Sequence, residues 1–331
     1  MGWINEFASS LGGSVTCLVI GIAALLGGGH WLVEGGVIVA RRLGVSMLLI
    51  GMTVVAFGTS CPELALNVIA AADGNSSLSF GNVIGSNIAN IGLVLGIGAV
   101  ICTIPVGSRV VNWELPVLIA ASAIVAWGTW DGSLGTRGSL ILLGCFLVVM
   151  ATWFLLAIKD RGDPLVQETI ESLPDRGRTL AKGGVYLLIG LAMLIIGGKS
   201  TEVGAVSFAR LIGVSEVLIG GTIVAVATSL PEVVVTIMAA RRGHPDLAVG
   251  NVVGSNLFNI LFVLPVAALV LPIEIADLAE VHRYLIGMLL LTVLLLPIAA
   301  THRKSVRRGE GIFLLMLFVG MLVWAVLADG V

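Results

Sequence analysis

Gly58-Thr59-Ser60-Cys61-Pro62-Glu63 places two hydroxyls, a proline and a carboxylate inside an apolar run that begins near Met47. A carboxylate at bilayer depth costs roughly 2.5–3.5 kcal/mol on insertion scales. A proline deletes a helix donor, here the one that would serve the Gly58 carbonyl. Glu63 follows Ser60 by three positions and Thr59 by four, so a helix puts all three on one face. A helix broken here also turns nearby carbonyls, such as that of Ala56, toward a cavity. Carboxylate, hydroxyl and carbonyl oxygens are hard ligands, suited to sodium and calcium rather than to zinc or copper.

Ala227-Thr228-Ser229-Leu230-Pro231-Glu232 repeats the pattern 169 positions later. The same offset relates Gly44-Val45-Ser46 to Gly213-Val214-Ser215 and Gly81-Asn82-Val83 to Gly250-Asn251-Val252. It also relates Gly85-Ser86-Asn87 to Gly254-Ser255-Asn256, and Asn90 to Asn259. Ser86 and Asn90 share a helical face, as do Ser255 and Asn259. A lone Ser or Thr in a membrane helix ordinarily bonds back to its own backbone. Two Glu residues in matching contexts, each followed by Gly-Ser-Asn, point instead to two halves of one ion site. Asn82, Asn251, Asn87 and Asn256 recur as well, and either line that site or bond backbone groups at helix breaks. Gly81, Gly85 and Gly92 allow a neighbouring helix to approach closely.

The elements that hold these residues must lie in a bilayer. Of 331 residues 57% are hydrophobic and only 11% charged, against about 25% charged in soluble domains. The mean hydropathy is +1.08. The net charge of −2 argues against a nucleic-acid partner, and no obligate protein partner is indicated. Cys17, Cys61, Cys102 and Cys145 lie in apolar runs without CxxC or Cys/His spacing, so neither a zinc site nor a disulfide framework is expected. No cofactor is called for. The N-terminus has no basic leader region, and the first apolar segment reads as a retained span.

Runs of about 20 apolar residues predict ten transmembrane helices, at 13–40, 46–72, 78–102, 113–131, 138–158, 182–209, 215–240, 247–271, 284–301 and 310–328. The expected fold is an all-α membrane protein built from two inverted five-helix repeats, 1–158 and 182–331, joined by a polar linker at 159–181. With the N-terminus outside, 14 of the 18 Lys and Arg fall in inside loops and 3 in outside loops, with Lys199 inside a helix. That bias puts both termini outside and the linker in the cytoplasm, in a multi-pass protein of the cell (inner) membrane. Five spans per half invert the second copy, an arrangement that places a transporter's site near the midplane. His30–Glu34 and Lys199–Glu202 read as ion pairs or as groups at the outer interface. Asp73 and Asp246 read as solvated loop residues, and Trp113, Trp127, Trp130, Trp153 and Trp324 as an aromatic belt.

At Gly-Thr-Ser-Cys-Pro-Glu followed by Gly-Asn-Val-Ile-Gly-Ser-Asn-Ile-Ala-Asn, the chain resembles the cation/calcium exchanger superfamily, and more closely its prokaryotic sodium/calcium exchangers. The two alpha-repeats of that family match residues 44–98 and 213–267. The resemblance implies calcium binding by Glu63 and Glu232 with the carbonyls of Thr59 and Thr228. It implies sodium sites from Thr59, Ser60, Ser86 and the Ala56 carbonyl, and from Thr228, Ser229, Ser255 and the Ala225 carbonyl. Asn90 and Asn259 would lie at the centre, and the first and sixth helices would slide as a pair. Three departures stand out. Position 259 is Asn where some members have Asp. Ala227 replaces the glycine that Gly58 supplies in the first half. The large cytoplasmic insert of animal exchangers is absent.

Two facing carboxylates carry a charge of −2, which one Ca²⁺, two Na⁺ or two protons neutralise, and that equivalence makes exchange the expected activity. The expectation is Na⁺/Ca²⁺ antiport by alternating access, with Ca²⁺ and Na⁺ as transported ions and H⁺/Ca²⁺ antiport as the alternative. A cation channel fits an inverted repeat around one central site less well. An intramembrane enzyme lacks its motif, since there is no HExxH.

Overall fold

The computed structural model describes residues 6–162, 164–173, 177–213 and 225–328. Helix α1 (Leu11–Leu43) starts on the Ser10 hydroxyl, which accepts from the Gly13 N–H. It stops at Gly44, whose φ of +67° glycine adopts without a Cβ penalty. Then come α2 (Met47–Thr59) and α3 (Cys61–Ala72), bent by 42° at their junction, α4 (Ser76–Ile101), α5 (Val110–Gly128) and α6 (Thr136–Asp160). A short helix α7 (Pro164–Glu171) lies in the linker. The second half has α8 (Leu180–Leu211), the single turn α9 (Ala225–Thr228), α10 (Leu230–Arg241), α11 (Pro245–Val270), α12 (Leu278–Ala300) and α13 (Arg308–Ala328).

Helices α1, α4, α5, α6, α8, α11 and α12 are each long and apolar enough to cross a membrane, and the bent α2–α3 pair adds an eighth crossing among the described residues. Residues 214–224 of the span expected at 215–240 lie outside the described residues. Helices α4 and α11 form the centre, with 78% and 83% of their apolar windows buried, whereas α6 and α8 bury 11% and 22%. Leu140, Ile141, Leu147, Val148, Phe154 and Leu155 of α6 are exposed, as a lipid-facing helix requires.

Helices α1 and α8 pack antiparallel along a seam of small residues seven apart. Ser14, Gly21, Gly28 and Gly35 face Gly204, Gly197, Gly190 and Gly183. A Cβ on Gly28 would lie 2.8 Å from the Gly190 carbonyl oxygen, and one on Gly204 2.8 Å from that of Ser14. Only glycine admits this backbone approach.

Two antiparallel ribbons tie the halves together. Strand β1 (Ile104–Pro105) pairs with β4 (Ser305–Val306), and β2 (Ser133–Leu134) with β3 (Ile273–Glu274). β1 and β2 flank α5 and β3 and β4 flank α12, so one ribbon lies at each end of the bundle. The linker is fastened to the C-terminal end of α1. Arg41 bonds the main-chain oxygen of Glu171 at 3.0 Å, Arg42 that of Arg178 at 2.7 Å, and Arg178 pairs with Glu34.

Some polar residues sit elsewhere than expected. Glu34 takes the ion-pair alternative, but with Arg178 and, at 3.8 Å, Arg242 as its partners. Trp153 is buried, donating to Glu114 at 3.1 Å; a carboxylate enclosed between helices takes its partner across them. Asp246 is half-buried in the first turn of α11 rather than solvated. Trp113, Trp127, Trp130 and Trp324 are exposed, and Lys199 pairs with Glu202 at 2.8 Å.

Candidate functional site

The two repeated motifs break their helices in the same way. Ser60 joins α2 to α3 with φ −86° and ψ 1°, and Ser229 joins α9 to α10 with φ −88° and ψ 1°. Pro62 and Pro231 fall in the first turn of the following helix, where a missing N–H goes unmissed. This starts a new helix just before each glutamate, so Glu63 and Glu232 lie in first turns. There the unpaired N–H groups and the positive end of the helix dipole favour an anion. The Ala56 carbonyl is taken by the Ser60 N–H at 3.0 Å and the Thr59 hydroxyl at 3.3 Å. Ala225 opens the matching turn α9.

Glu63, Glu232, Thr59, Ser60, Ser229, Ser86, Ser255, Asn90 and Asn259 are all buried, and Thr228 is half-buried. The Thr59 hydroxyl lies 3.2 Å from Asn251 Oδ1 and 3.4 Å from Ser255 Oγ. It is also a hydrogen-bond partner of the Glu232 carboxylate, which in turn feels the charge of Glu63. The break in the first half thus meets the break in the second. Ser86 lies one turn before Asn90 on α4.

Five oxygens of this set have no hydrogen-bond partner: Ser60 Oγ, Glu63 Oε2, Ser229 Oγ, Glu232 Oε2 and Asn259 Oδ1. A buried polar atom left unpaired costs about 1–3 kcal/mol, and a charged one more. Unpartnered acceptors gathered around two carboxylates are satisfied by a cation or a proton. Among the described residues no three His, Cys, Asp or Glu side chains gather as a metal cluster. The charge to be matched is therefore that of two carboxylates, and the remaining ligands are neutral oxygens.

Helices α4 and α11 cross through a reciprocal pair that answers the question of the repeated asparagines. Asn87 Nδ2 donates to the Asn256 main-chain oxygen at 3.1 Å, and Asn256 Nδ2 to that of Asn87 at 3.3 Å. Asn90 Nδ2 donates to Asn256 Oδ1 at 3.0 Å. Wide π-helical turns begin at Asn90 and Asn259, and such turns loosen the backbone where side chains must aim inward. Gly250 and Gly254 pack on the backbone of Leu48 and Met52, and Gly92 on Phe318, while Gly81 and Gly85 meet only the Tyr284 ring at 3.8–3.9 Å.

Two residues escape the sequence reading. Asn67 Nδ2 donates to the Glu63 main-chain oxygen at 2.7 Å and to Asn82 Oδ1 at 2.8 Å. Its counterpart, Thr236, accepts from Asn251 Nδ2 at 3.3 Å. Both are fully buried. The repeat differs in residue type here, so residue identity carried no signal, although Asn67 lies one turn after Glu63 on the same face.

Comparison with known proteins bears on this oxygen cage. The family model described as sodium/calcium exchanger protein matches residues 13–155 and 182–327. The protein named CaxA from Alkalimonas amylolytica is 37% identical over 92% of this chain and 95% of its own. The sodium/calcium exchanger MaX1 of Methanosarcina acetivorans is 30% identical over 92% of this chain and 96% of its own. A solved structure of the sodium-calcium exchanger NCX_Mj, soaked with 100 mM Na⁺ and 10 mM Sr²⁺, superposes with a TM-score of 0.78 at 29% identity, covering 94% of this chain and 97% of that one.

Proposed function

Because the chain belongs to the sodium/calcium exchanger family, we propose that this membrane antiporter carries Ca²⁺ in exchange for Na⁺ by alternating access, at the site formed by the two helix breaks. The observation that carries the reading is the set of unpartnered buried oxygens around Glu63 and Glu232. Calcium is held between the two carboxylates. Sodium also uses the neutral oxygens of Thr59, Ser60, Ser86 and the Ala56 carbonyl, and of Thr228, Ser229, Ser255 and the Ala225 carbonyl, with Asn90 and Asn259 between. An empty site carrying two buried negative charges is disfavoured from crossing, so each direction requires a load.

The architecture that goes with this reading is ten helices in two inverted repeats, 1–158 and 182–331, with alpha-repeats 44–98 and 213–267. The ribbon pairing supports it, because β1 and β3 follow equivalent helices yet lie at opposite ends of the bundle. The reciprocal Asn87–Asn256 bonds support it too. Both termini then face out of the cell (inner) membrane, with the linker 159–181 in the cytoplasm.

Radiolabelled calcium uptake into sodium-loaded proteoliposomes tests the reading. Uptake is expected to follow the outward sodium gradient and to fall to background in Glu63→Gln and in Glu232→Gln. Uptake driven by an imposed pH gradient and indifferent to sodium would establish H⁺/Ca²⁺ exchange instead.

A further inference from the structure

The two asparagines behind the cage, Asn82 and Asn251, occupy equivalent places but are turned in opposite senses. In the first half the main-chain oxygen of Glu63 can only accept, so the group that Asn67 brings to it at 2.7 Å is its amide nitrogen. The second hydrogen of that nitrogen goes to Asn82 at 2.8 Å. Asn82 must therefore offer Oδ1 to Asn67 and turn its NH₂ away. In the second half a hydroxyl stands in place of the amide. Unlike the Asn67 amide, this hydroxyl permits the other orientation: Thr236 Oγ1 accepts from Asn251 Nδ2 at 3.3 Å while Asn251 Oδ1 lies 3.2 Å from the Thr59 hydroxyl.

That difference matters to a ligand hydroxyl. Thr59 has one proton, and Glu232 is among its partners. A cation seated against the Thr59 oxygen requires that proton to point elsewhere. Two acceptors are in reach, the Ala56 carbonyl at 3.3 Å and Asn251 Oδ1 at 3.2 Å; with the Ala56 carbonyl turned to sodium, Asn251 Oδ1 is left to take the proton, inside a region with no exposed surface at either Asn251 or Thr236. An amide turned the other way presents a donor, which competes with a cation for a hydroxyl lone pair.

We propose that residues 67 and 236 are positioning residues that decide which end of Asn82 and Asn251 is presented toward the site, and that they make the two halves of the sodium site unequal. The Thr236–Asn251–Thr59 chain makes the Thr59 half the better sodium seat. Sodium feels this more than calcium, because a monovalent ion seated on neutral oxygens depends on the orientation of their dipoles, whereas calcium is held chiefly by two carboxylates. The inference rests on the sodium/calcium exchange reading.

The test measures sodium and calcium half-saturation separately in proteoliposome exchange, for wild type, Thr236→Asn, Thr236→Ser and Asn67→Thr. Thr236→Asn installs the amide of the first half and turns Asn251 over. Its sodium half-saturation is expected to rise about fivefold, the value of one neutral hydrogen bond, with calcium half-saturation shifted far less. Thr236→Ser keeps the hydroxyl and should match wild type. Asn67→Thr frees Asn82 to present its oxygen and should lower sodium half-saturation. Equal shifts for both ions would reduce residue 236 to a packing role and overturn the proposal, as would wild-type sodium half-saturation in both Thr236→Asn and Asn67→Thr. Should Thr236→Asn not fold, Asn67→Thr decides alone. Absence of sodium-dependent uptake in the wild type would instead refute the exchange reading.

Discussion

At the residue scale, conformational and electrostatic demands fall on a few side chains whose neighbours the chain supplies from far away. His244 turns the corner between α10 and α11, its N–H closing on the Ala239 carbonyl at 2.9 Å. Burial lowers its pKa below the ordinary histidine value, the adjacent Arg242 lowers it further, and Glu34 works against both. The folded state therefore prefers neutral His244. Between the lowered pKa and the unfolded value of about 6.5 the unfolded chain binds more protons. The stability contributed is full above about pH 6.5 and is lost as pH falls through the folded pKa. Melting curves in detergent should show a drop on acidification from neutral pH that is smaller in His244→Asn, and identical curves for the two proteins would rule His244 out as its source. None of this could be read from the sequence, where His244 stands two positions after Arg242 with nothing to mark its burial. The same holds for Glu114, whose partners Arg109 and Trp153 reach it at 3.2 and 3.1 Å. Trp153 comes from another helix, and hydropathy alone assigned it to the membrane interface. The burial of Glu63 and Glu232 was legible for the opposite reason: each is an expensive group in an apolar run, and the second copy repeats the expense in the same context.

At the scale of elements, the helix breaks were visible because proline has one mechanical effect wherever it stands, and the two serine joints agree within 2° in φ. The α1–α8 seam was equally present in the spacing of Gly21, Gly28 and Gly35 and of Gly183, Gly190, Gly197 and Gly204, but small residues signal packing only once the partner helix is known. A repeat of seven matches 3.5 residues per turn and keeps two helices in register along their length. Gly190→Leu should split this seam, since its Cβ alone would meet the Leu32 nitrogen at 2.5 Å and the Gly28 oxygen at 2.8 Å and overpacking costs about 1–3 kcal/mol. The expected result is a melting temperature lowered by several degrees with loss of monodisperse protein. Gly184→Leu on the same helix meets nothing within 4 Å and should behave as wild type. Equal damage from both substitutions would mean that α8 tolerates no bulk anywhere and that the seam is not special.

For the whole molecule, the proposed sodium/calcium exchange makes the charge of the loaded site, as it changes sides, the controlling quantity. Glu63 and Glu232 supply −2, so a calcium load is neutral. Neutral oxygens flank the carboxylates from both halves, with Thr59, Ser60 and Ser86 on one side and Thr228, Ser229 and Ser255 on the other. Sodium seated at both neutral groups as well as between the carboxylates gives three ions and a net charge of +1. The sodium-loaded crossing then feels the membrane potential, at about 2.3 kcal/mol per charge per 100 mV. In sodium-loaded vesicles taking up calcium, one net positive charge leaves per cycle. A valinomycin-clamped potassium potential, positive inside, should therefore speed calcium uptake, and one negative inside should slow it. Over 100 mV the limiting calcium accumulation should change about fifty-fold. Uptake indifferent to potential in both directions would mean two sodium ions per calcium, with the neutral oxygens serving as an entry path rather than a third seat.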